Sequence, residues 1–302
     1  MKHFLTIEHS CRDELVSLID AGARLKAIRR QNHEKPLAGQ VWAMIFTKSS
    51  TRTRVSFEVG VRELGGDVMF LSKDDLQLGR GEPVKDTARV LGRMAHGAII
   101  RTGPQTLVDE FAEYSNIPTI NALTDEEHPC QILADLLTIR EKLGGWAGKK
   151  VVFCGDGDCN MGRSWMWAAK HLGFELVIAA PTEFQPPAEL VEAAGDGVTV
   201  EPDMMKAAEG AHVLYTDVWV SMGKEEEAAE RLKILTPYQL NSKVLGAAHG
   251  SAIVLHCLPA YREKEITEDV LELHADTIFQ QAENRLHAQK AVLAALVNDG
   301  IA

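Results

Sequence analysis

The sequence predicts an α/β protein of two domains, each a parallel β-sheet flanked by helices. Three observations carry that prediction. Short, nearly all-apolar runs of strand length alternate with longer helical stretches, as expected for parallel strands buried on both faces. The alternation stops at Gly144-Gly145, just after Leu143, and then restarts. The 302 residues give room for two domains of ordinary size, although one large domain is also allowed.

Taken in order, Ser10 to Ala27 carries Leu15, Leu18, Ile19 and Ala23 at helical spacing, with Ser10 as the expected N-cap. Val41 to Phe46 is the first strand, and the polar loop Thr47 to Arg54 leads into a helix ending at Leu64. Val68 to Leu71 is the next strand. A loop with Gly79 and Gly81, a helix from about Lys85 to His96 and a third strand, Ala98 to Arg101, follow. Another helix precedes a strand at Ile117 to Ile120, and Gln131 to Leu143 is a long helix. The second series begins with the strand Lys149 to Cys154, the turn Gly155-Asp-Gly157 and a helix through Leu172. Leu176 to Ala180, His212 to Thr216 and Ala252 to His256 supply its further strands. A last helix, Glu283 to Val297, is expected to fold back onto the first domain.

Hydrophobic content of 45% and charged content of 25% fit a soluble globular chain. With 32 basic and 43 acidic residues the net charge is -11, which argues against wholesale nucleic-acid binding. It leaves small anions open as ligands, because a few arginines reverse the field within one cleft. There is no leader-like N-terminus and no apolar run near the ~20 residues that span a bilayer, so no membrane role and a cytoplasmic location are expected. The five cysteines (Cys11, Cys130, Cys154, Cys159, Cys257) lack CxxC spacing, which predicts reduced thiols and neither a disulfide frame nor a metal site.

The chemistry concentrates at a few strand ends. Ser49-Ser-Thr-Arg-Thr-Arg54 places hydroxyls and two guanidiniums between a strand and a helix. Helix N-termini attract anions, and arginine offers bidentate donors to phosphate oxygens. The plainer reading is a capped helix with surface arginines. His128-Pro-Cys-Gln131 offers a donor for a carbonyl oxygen and an acceptor for an amide, or a structural histidine. Arg101 closes an apolar strand, where parallel sheets place ligand groups, or is an exposed charge. Asp217-Val-Trp-Val-Ser221 could hold an ammonium group. In His256-Cys257 the side chains of neighbouring extended residues point to opposite sides, so His256 is poorly placed as a base for a cysteine nucleophile. Gly155-Asp-Gly-Asp-Cys-Asn160 lacks the third glycine of a dinucleotide fingerprint. It reads as a tight turn, or as one whose Asn160 amide recognises a substrate.

Six segments in order resemble the aspartate/ornithine carbamoyltransferase family: Ser50-Thr-Arg-Thr-Arg54, Asp86-Thr-Ala-Arg-Val-Leu91, His128-Pro-Cys-Gln131, Asp217-Val-Trp-Val-Ser-Met-Gly223, His256-Cys-Leu-Pro-Ala260 and Ala282-Glu-Asn-Arg-Leu-His287. The resemblance implies transfer of the carbamoyl group of carbamoyl phosphate to the δ-amine of L-ornithine, giving citrulline and phosphate, within arginine metabolism. It implies a carbamoyl phosphate domain at 1–133, completed by a C-terminal helix at about 285–302, an ornithine domain at 134–284, and an active site in the cleft between them. Ser50, Thr51, Arg52 and Thr53 would hold the phosphate. Arg101 and His128 would polarise the carbamoyl oxygen, and Gln131 would hold the amide beside Pro129 and Cys130. Gln77 matches the position that reaches a neighbouring subunit's site, and Arg285 a further carbamoyl phosphate contact. Asn160, Asp217, Ser221 and Met222 match the positions that hold the amino and carboxylate groups of ornithine. Cys257 and Leu258 would line the junction where amine meets carbamoyl carbon. Arg52, Arg101, His128 and Cys257 are thus the expected catalytic set, with no metal or organic cofactor, in a homotrimer or assembly of trimers with shared sites. Two segments depart from the family pattern. Asp158-Cys159 stands where an asparagine usually precedes the matching Asn160, and Tyr261-Arg-Glu-Lys-Glu265 where a histidine and a glycine are common. Putrescine, N-acylated ornithine or aspartate as acceptor, a nicotinamide-dependent oxidoreductase, and a non-catalytic anion-binding module are the competing readings. The Ser221-Met-Gly223 signature argues against the other acceptors.

Overall fold

The computed structural model describes every residue except 32–33, 77–80, 221–227 and 298–302. The chain forms two compact units, one comprising Met1–Leu137 with the segment from Glu283 onward, the other Thr138–Ala282.

The first unit contains α1 (Arg12–Ala27), β1 (Val41–Phe46), α2 (Thr51–Glu63), β2 (Asp67–Ser72), α3 (Val84–Leu91), β3 (Gly97–Arg101), α4 (Gln105–Ser115) and β4 (Thr119–Leu123). Its strands pair in parallel in the order β2-β1-β3-β4. The central strands β1 and β3 are almost wholly buried, as their apolar runs require. A strap at the N-terminus extends the sheet: Phe4 pairs with β4, its N–H donating to the Thr119 carbonyl at 2.9 Å.

The second unit holds the end of α5 (Pro129–Leu143), whose first part belongs to the first unit, then β5 (Lys150–Cys154), α6 (Asn160–Leu172), β6 (Glu175–Ala179), α7 (Ala188–Ala194), β7 (Val198–Val200) and α8 (Met204–Ala208). There follow β8 (Val213–Thr216), α9 (Ala228–Leu235), α10 (Ser242–Ala247), β9 (Ile253–His256), α11 (Glu268–Leu273) and α12 (Ala275–Val297), whose later part belongs to the first unit. The five strands are parallel in the order β7-β6-β5-β8-β9.

Several expected boundaries move. Helix α1 is capped by Cys11, not Ser10: the Cys11 N–H donates to the Glu14 carboxylate at 3.2 Å, while the Ser10 hydroxyl bonds back to the Thr6 carbonyl. Thr51 to Arg54 form the first turn of α2 and not a loop, because Ser50 is its N-cap. Helix α3 ends at Leu91, short of His96. Gly92 follows, where an added Cβ would come within 1.9 Å of the Ser115 carbonyl oxygen, so the chain is pressed against the end of α4. The last helix starts at Ala275, eight residues before Glu283. The three-residue strand β7 was too short to leave a pattern in the sequence.

Candidate active site

In the first unit the expected residues gather at the carboxyl ends of β1, β3 and β4. The strand order reverses between β1 and β3, and open parallel sheets hold ligands at such reversals. Ser50 Oγ accepts from the Thr53 N–H at 3.3 Å and so fixes the start of α2. Ser50 and Arg52 are half-buried there, and Thr51 is exposed. An anion is favoured at this amino end, where first-turn N–H groups and the helix dipole combine. Arg54 turns elsewhere, its guanidinium lying 3.7 Å from the centre of the Phe70 ring.

Thr53 is fully buried and its Oγ1 accepts from Arg285 Nη2 at 2.7 Å. That bond fastens α12 to α2, and two more contacts hold the same helix. Lys290 Nζ donates to Glu63 at 2.7 Å, and Lys26 Nζ to the side-chain Oδ1 of Asn284 at 2.7 Å. Arg285 is thereby brought near His128 and Cys130, since it acts on the titration of both. Burial, with the positive charges of Arg285 and Arg101, holds His128 well below the usual histidine range. His128 is therefore a neutral imidazole, able to donate to an oxygen while the two arginines supply the charge. Burial pushes the Cys130 thiol up to about 12, and its Sγ faces the Asn121 carbonyl oxygen at 3.6 Å. This thiol does not ionise at neutral pH.

Pro129 opens α5, where its missing N–H costs nothing. Gln131 is 0% exposed, and its Nε2 donates to Asp135 Oδ1 at 2.8 Å. Its Oε1 is buried with no hydrogen-bond partner. A buried acceptor without a donor is costly, so this oxygen is suited to a ligand N–H.

In the second unit the expected residues stand at the ends of β5, β8 and β9, beside the reversal between β5 and β8. Asn160 is the first residue of α6, capped by Cys159, whose Sγ accepts from the Gly162 N–H at 3.4 Å. The thiol takes over the capping role of a polar side chain, and Asp158 pairs with Arg163 at 2.7 Å. Burial, Asp156 and Asp217 push the Cys159 thiol well up. Asp217 Oδ1 accepts from the Val218 N–H at 2.7 Å and from Cys257 Sγ at 2.8 Å. Burial raises its carboxyl above the ordinary aspartate value, against the pull of those two bonds.

Asp217, His256 and Cys257 have ligand-capable atoms within 4.8 Å of one another. Both ring nitrogens of His256 are engaged, however: Nδ1 accepts from the Leu258 N–H at 2.8 Å and Nε2 faces Glu265 at 3.1 Å. Asp217 and Cys257 are hydrogen-bonded to each other, and His256 is held by other partners. His256 does not serve Cys257 as a base, as the alternation of side chains along the strand had indicated.

Three of the expected residues, Gln77, Ser221 and Met222, lie outside the described residues. Sequence reasoning missed Arg231, buried on α9. It forms an ion pair with Asp156 of the Gly155 turn and donates from Nε to the Trp219 carbonyl at 2.7 Å. It also missed the buried Glu265. An isolated charge on an amphipathic stretch leaves no sign that it will be buried. The Gly155 turn is itself filled: a Cβ there would meet Trp219 Nε1 at 2.7 Å, and one on Gly157 would meet Ile178 Cγ2 at 2.4 Å. The glycines admit the protein's own side chains.

The chain matches the family described as aspartate/ornithine carbamoyltransferase, carbamoyl-P binding domain, over residues 2–141. It matches the Asp/Orn binding domain of the same family over residues 147–296. A protein of Akkermansia muciniphila named ornithine carbamoyltransferase is 59% identical, with 99% of each chain covered. One of Pseudomonas aeruginosa, named ornithine carbamoyltransferase, anabolic, is 46% identical over 98% of this chain and 97% of its own. The solved ornithine carbamoyltransferase of Pyrococcus furiosus superposes with a TM-score of 0.94 at 40% identity, covering 99% of this chain and 98% of its own. The anabolic enzyme of Campylobacter jejuni superposes with a TM-score of 0.92 at 43% identity, covering 98% of this chain and 99% of its own. With both domain families matched along nearly its whole length, the chain belongs to the aspartate/ornithine carbamoyltransferase family.

Proposed function

We infer that this chain is an ornithine carbamoyltransferase, converting carbamoyl phosphate and L-ornithine to L-citrulline and phosphate. The observation that carries the inference is full-length identity of 46–59% to relatives of that name. On this reading the first unit corresponds to the carbamoyl phosphate domain expected at 1–133 with about 285–302, and the second to the ornithine domain expected at 134–284.

The uncharged δ-nitrogen attacks the carbamoyl carbon. The bond between the carbamoyl carbon and the bridging oxygen breaks, phosphate departs with that oxygen, and the new amide nitrogen loses its proton to the departing phosphate. Ser50, Thr51 and Arg52 hold the phosphate at the start of α2, with Thr53 acting through Arg285. Arg101 and neutral His128 donate to the carbamoyl oxygen as charge develops on it, a contribution of ~3–4 kcal/mol for a well-placed donor. The partnerless Gln131 Oε1 accepts from the carbamoyl amide, which explains why it is kept buried. Asp217 takes the α-ammonium of ornithine, with Asn160, Ser221 and Met222 on the rest of the amino-acid head. Holding the two reactants together in the right orientation supplies much of the remaining acceleration.

One assay tests the reading. Carbamoyl phosphate is supplied with ornithine, putrescine, N-acetylornithine or aspartate, and phosphate release and carbamoylated product are measured. Dominant turnover of any acceptor but ornithine overturns it. Among the described residues no helix is long and apolar enough to cross a membrane. A cytoplasmic enzyme working as a homotrimer, or an assembly of trimers, with Gln77 entering a neighbour's site, completes the proposal. Sedimentation of the purified protein as a monomer would remove that part.

A further inference from the structure

Behind Cys257 and Leu258 lies a buried pair that none of the substrate roles accounts for. Leu258 has a φ of 57°, in the left-handed region that an L residue with a bulky side chain rarely occupies. The conformation is held from one side by His256. The His256 N–H donates to Gln281 Oε1 at 2.9 Å, and its Nδ1 accepts from the Leu258 N–H at 2.8 Å. An accepting Nδ1 carries no proton, so the ring is the neutral Nε2–H tautomer. Nε2 then donates to Glu265 Oε1 at 3.1 Å, and the same oxygen accepts from the Tyr261 N–H. Glu265 is itself fixed, its carbonyl accepting from the Leu240 N–H at 2.9 Å. His256 and Glu265 are 1% and 0% exposed.

We propose that His256 and Glu265 are positioning residues for carbamoyl transfer. Glu265 selects the tautomer of His256, whose Nδ1 grips the Leu258 amide and presents Cys257 and Leu258 to the reacting amine. This rests on the proposed carbamoyl transfer and on the place that the family resemblance implies for those two residues, where the amine meets the carbamoyl carbon. A purely structural role explains less. A buried polar pair contributes little that apolar packing would not, whereas strained backbone persists where function requires it. On the other side of the junction the Cys257 thiol is tied to Asp217.

The test compares kcat, both KM values and inhibition by inorganic phosphate in the wild type and in His256→Leu, His256→Asn, Glu265→Leu and Glu265→Gln, per mole of folded protein. Asparagine can accept from the N–H two residues on, as His256 Nδ1 does, and glutamine keeps one acceptor oxygen for both donors of Glu265. Both leucine variants should lose about 100-fold in kcat, the cost of misplacing a reacting group by roughly 1 Å. His256→Asn and Glu265→Gln should each recover at least about tenfold over their leucine counterparts, with phosphate inhibition within about twofold throughout. A folded leucine variant with wild-type kcat, or polar variants no better than leucine, overturns the proposal. If the leucine variants do not fold, His256→Asn is set against His256→Gln, whose longer amide cannot close the same ring with Leu258. Asparagine well above glutamine supports the proposal and equality overturns it. A wild type that does not carbamoylate ornithine defeats the parent reading instead, and is distinct from a wrong rank order among active variants.

Discussion

Replacing Asp217 by asparagine should move activity and stability in different directions. The substituted amide keeps an oxygen that can accept from the Val218 N–H and from Cys257 Sγ, so the fold of the loop should survive. What it loses, on the proposed assignment, is the charge opposite the ornithine α-ammonium. Truncating one partner of a hydrogen-bonded charge pair costs about 2–5 kcal/mol when buried, and the half-buried position of Asp217 points to the lower end. At about 2–3 kcal/mol, kcat/KM for ornithine falls roughly 30- to 150-fold. Stability should not fall with it. Burial raises the Asp217 carboxyl, so at neutral pH the folded chain carries a charge that the unfolded chain would hold more cheaply. Removing that charge leaves Tm unchanged or higher. The assay is steady-state kinetics with ornithine and with 5-aminopentanoate, which has the δ-amine and carboxylate but no α-amine, alongside a thermal melt. Turnover of 5-aminopentanoate and the KM for carbamoyl phosphate should stay within about threefold. An equal loss with both acceptors, or no loss with ornithine, refutes the assignment.

Four further outcomes follow from the same contacts. Thr53→Val removes the acceptor of Arg285 Nη2 and should cost about 1.5–3 kcal/mol of stability while raising the KM for carbamoyl phosphate, read by urea unfolding and kinetics. Cys257→Ser retains a donor for Asp217 and should keep activity within about tenfold, whereas total loss would restore the thiol as a nucleophile. His287 is pushed down to about 4, chiefly by burial, so below the unfolded value of 6.5 the unfolded chain binds more protons than the folded one. The stability held by the neutral ring is full above pH 6.5 and is lost as pH falls toward 4; His128 acts in the same direction, and a urea midpoint flat from about pH 7.5 to 4.5 contradicts this. Finally, kcat/KM for ornithine should rise from about pH 6 to 9 as the δ-ammonium loses its proton, and a flat profile would argue against attack by the free amine.

The parts of this protein that could be read from the sequence are those governed by local rules. Apolar runs such as Val41 to Phe46 and Val151 to Cys154 become central parallel strands, because burial on both faces leaves no room for alternation. Ser50 caps α2 because a hydroxyl three residues before an N–H is a local fit. What could not be read depends on partners distant in the chain. Arg231 meets Asp156 75 residues away, and Arg285 meets Thr53 232 residues away, so neither leaves a periodic trace. The departure at Tyr261 to Glu265 is an intermediate case. Glu263 takes a φ of 65°, which a glycine adopts freely, and its carboxylate accepts from the Glu268 N–H at 2.9 Å. The bond to the start of α11 offsets strain that no local pattern announces.

The two units solve opposite recognition problems with one topological device. Each sheet reverses its strand order once near its middle, between β1 and β3 in the first unit and between β5 and β8 in the second. Each places a helix amino end at that reversal, α2 after β1 and α6 after β5. In the first, Arg52, Arg101 and Arg285 add to the positive helix end, and the sum favours a phosphate. In the second, a free dinucleotide cradle would be the default expectation for a Gly-Asp-Gly turn. Trp219 instead packs against Gly155, and Asp156 is drawn into its pair with Arg231. The space a pyrophosphate needs is occupied by the protein itself. What remains is one helix end beside one carboxylate, Asp217, and that combination suits a molecule carrying a carboxylate and an ammonium on the same carbon. The departure at Cys159 leaves this logic intact, because its thiol caps α6 and so keeps Asn160 in the first turn.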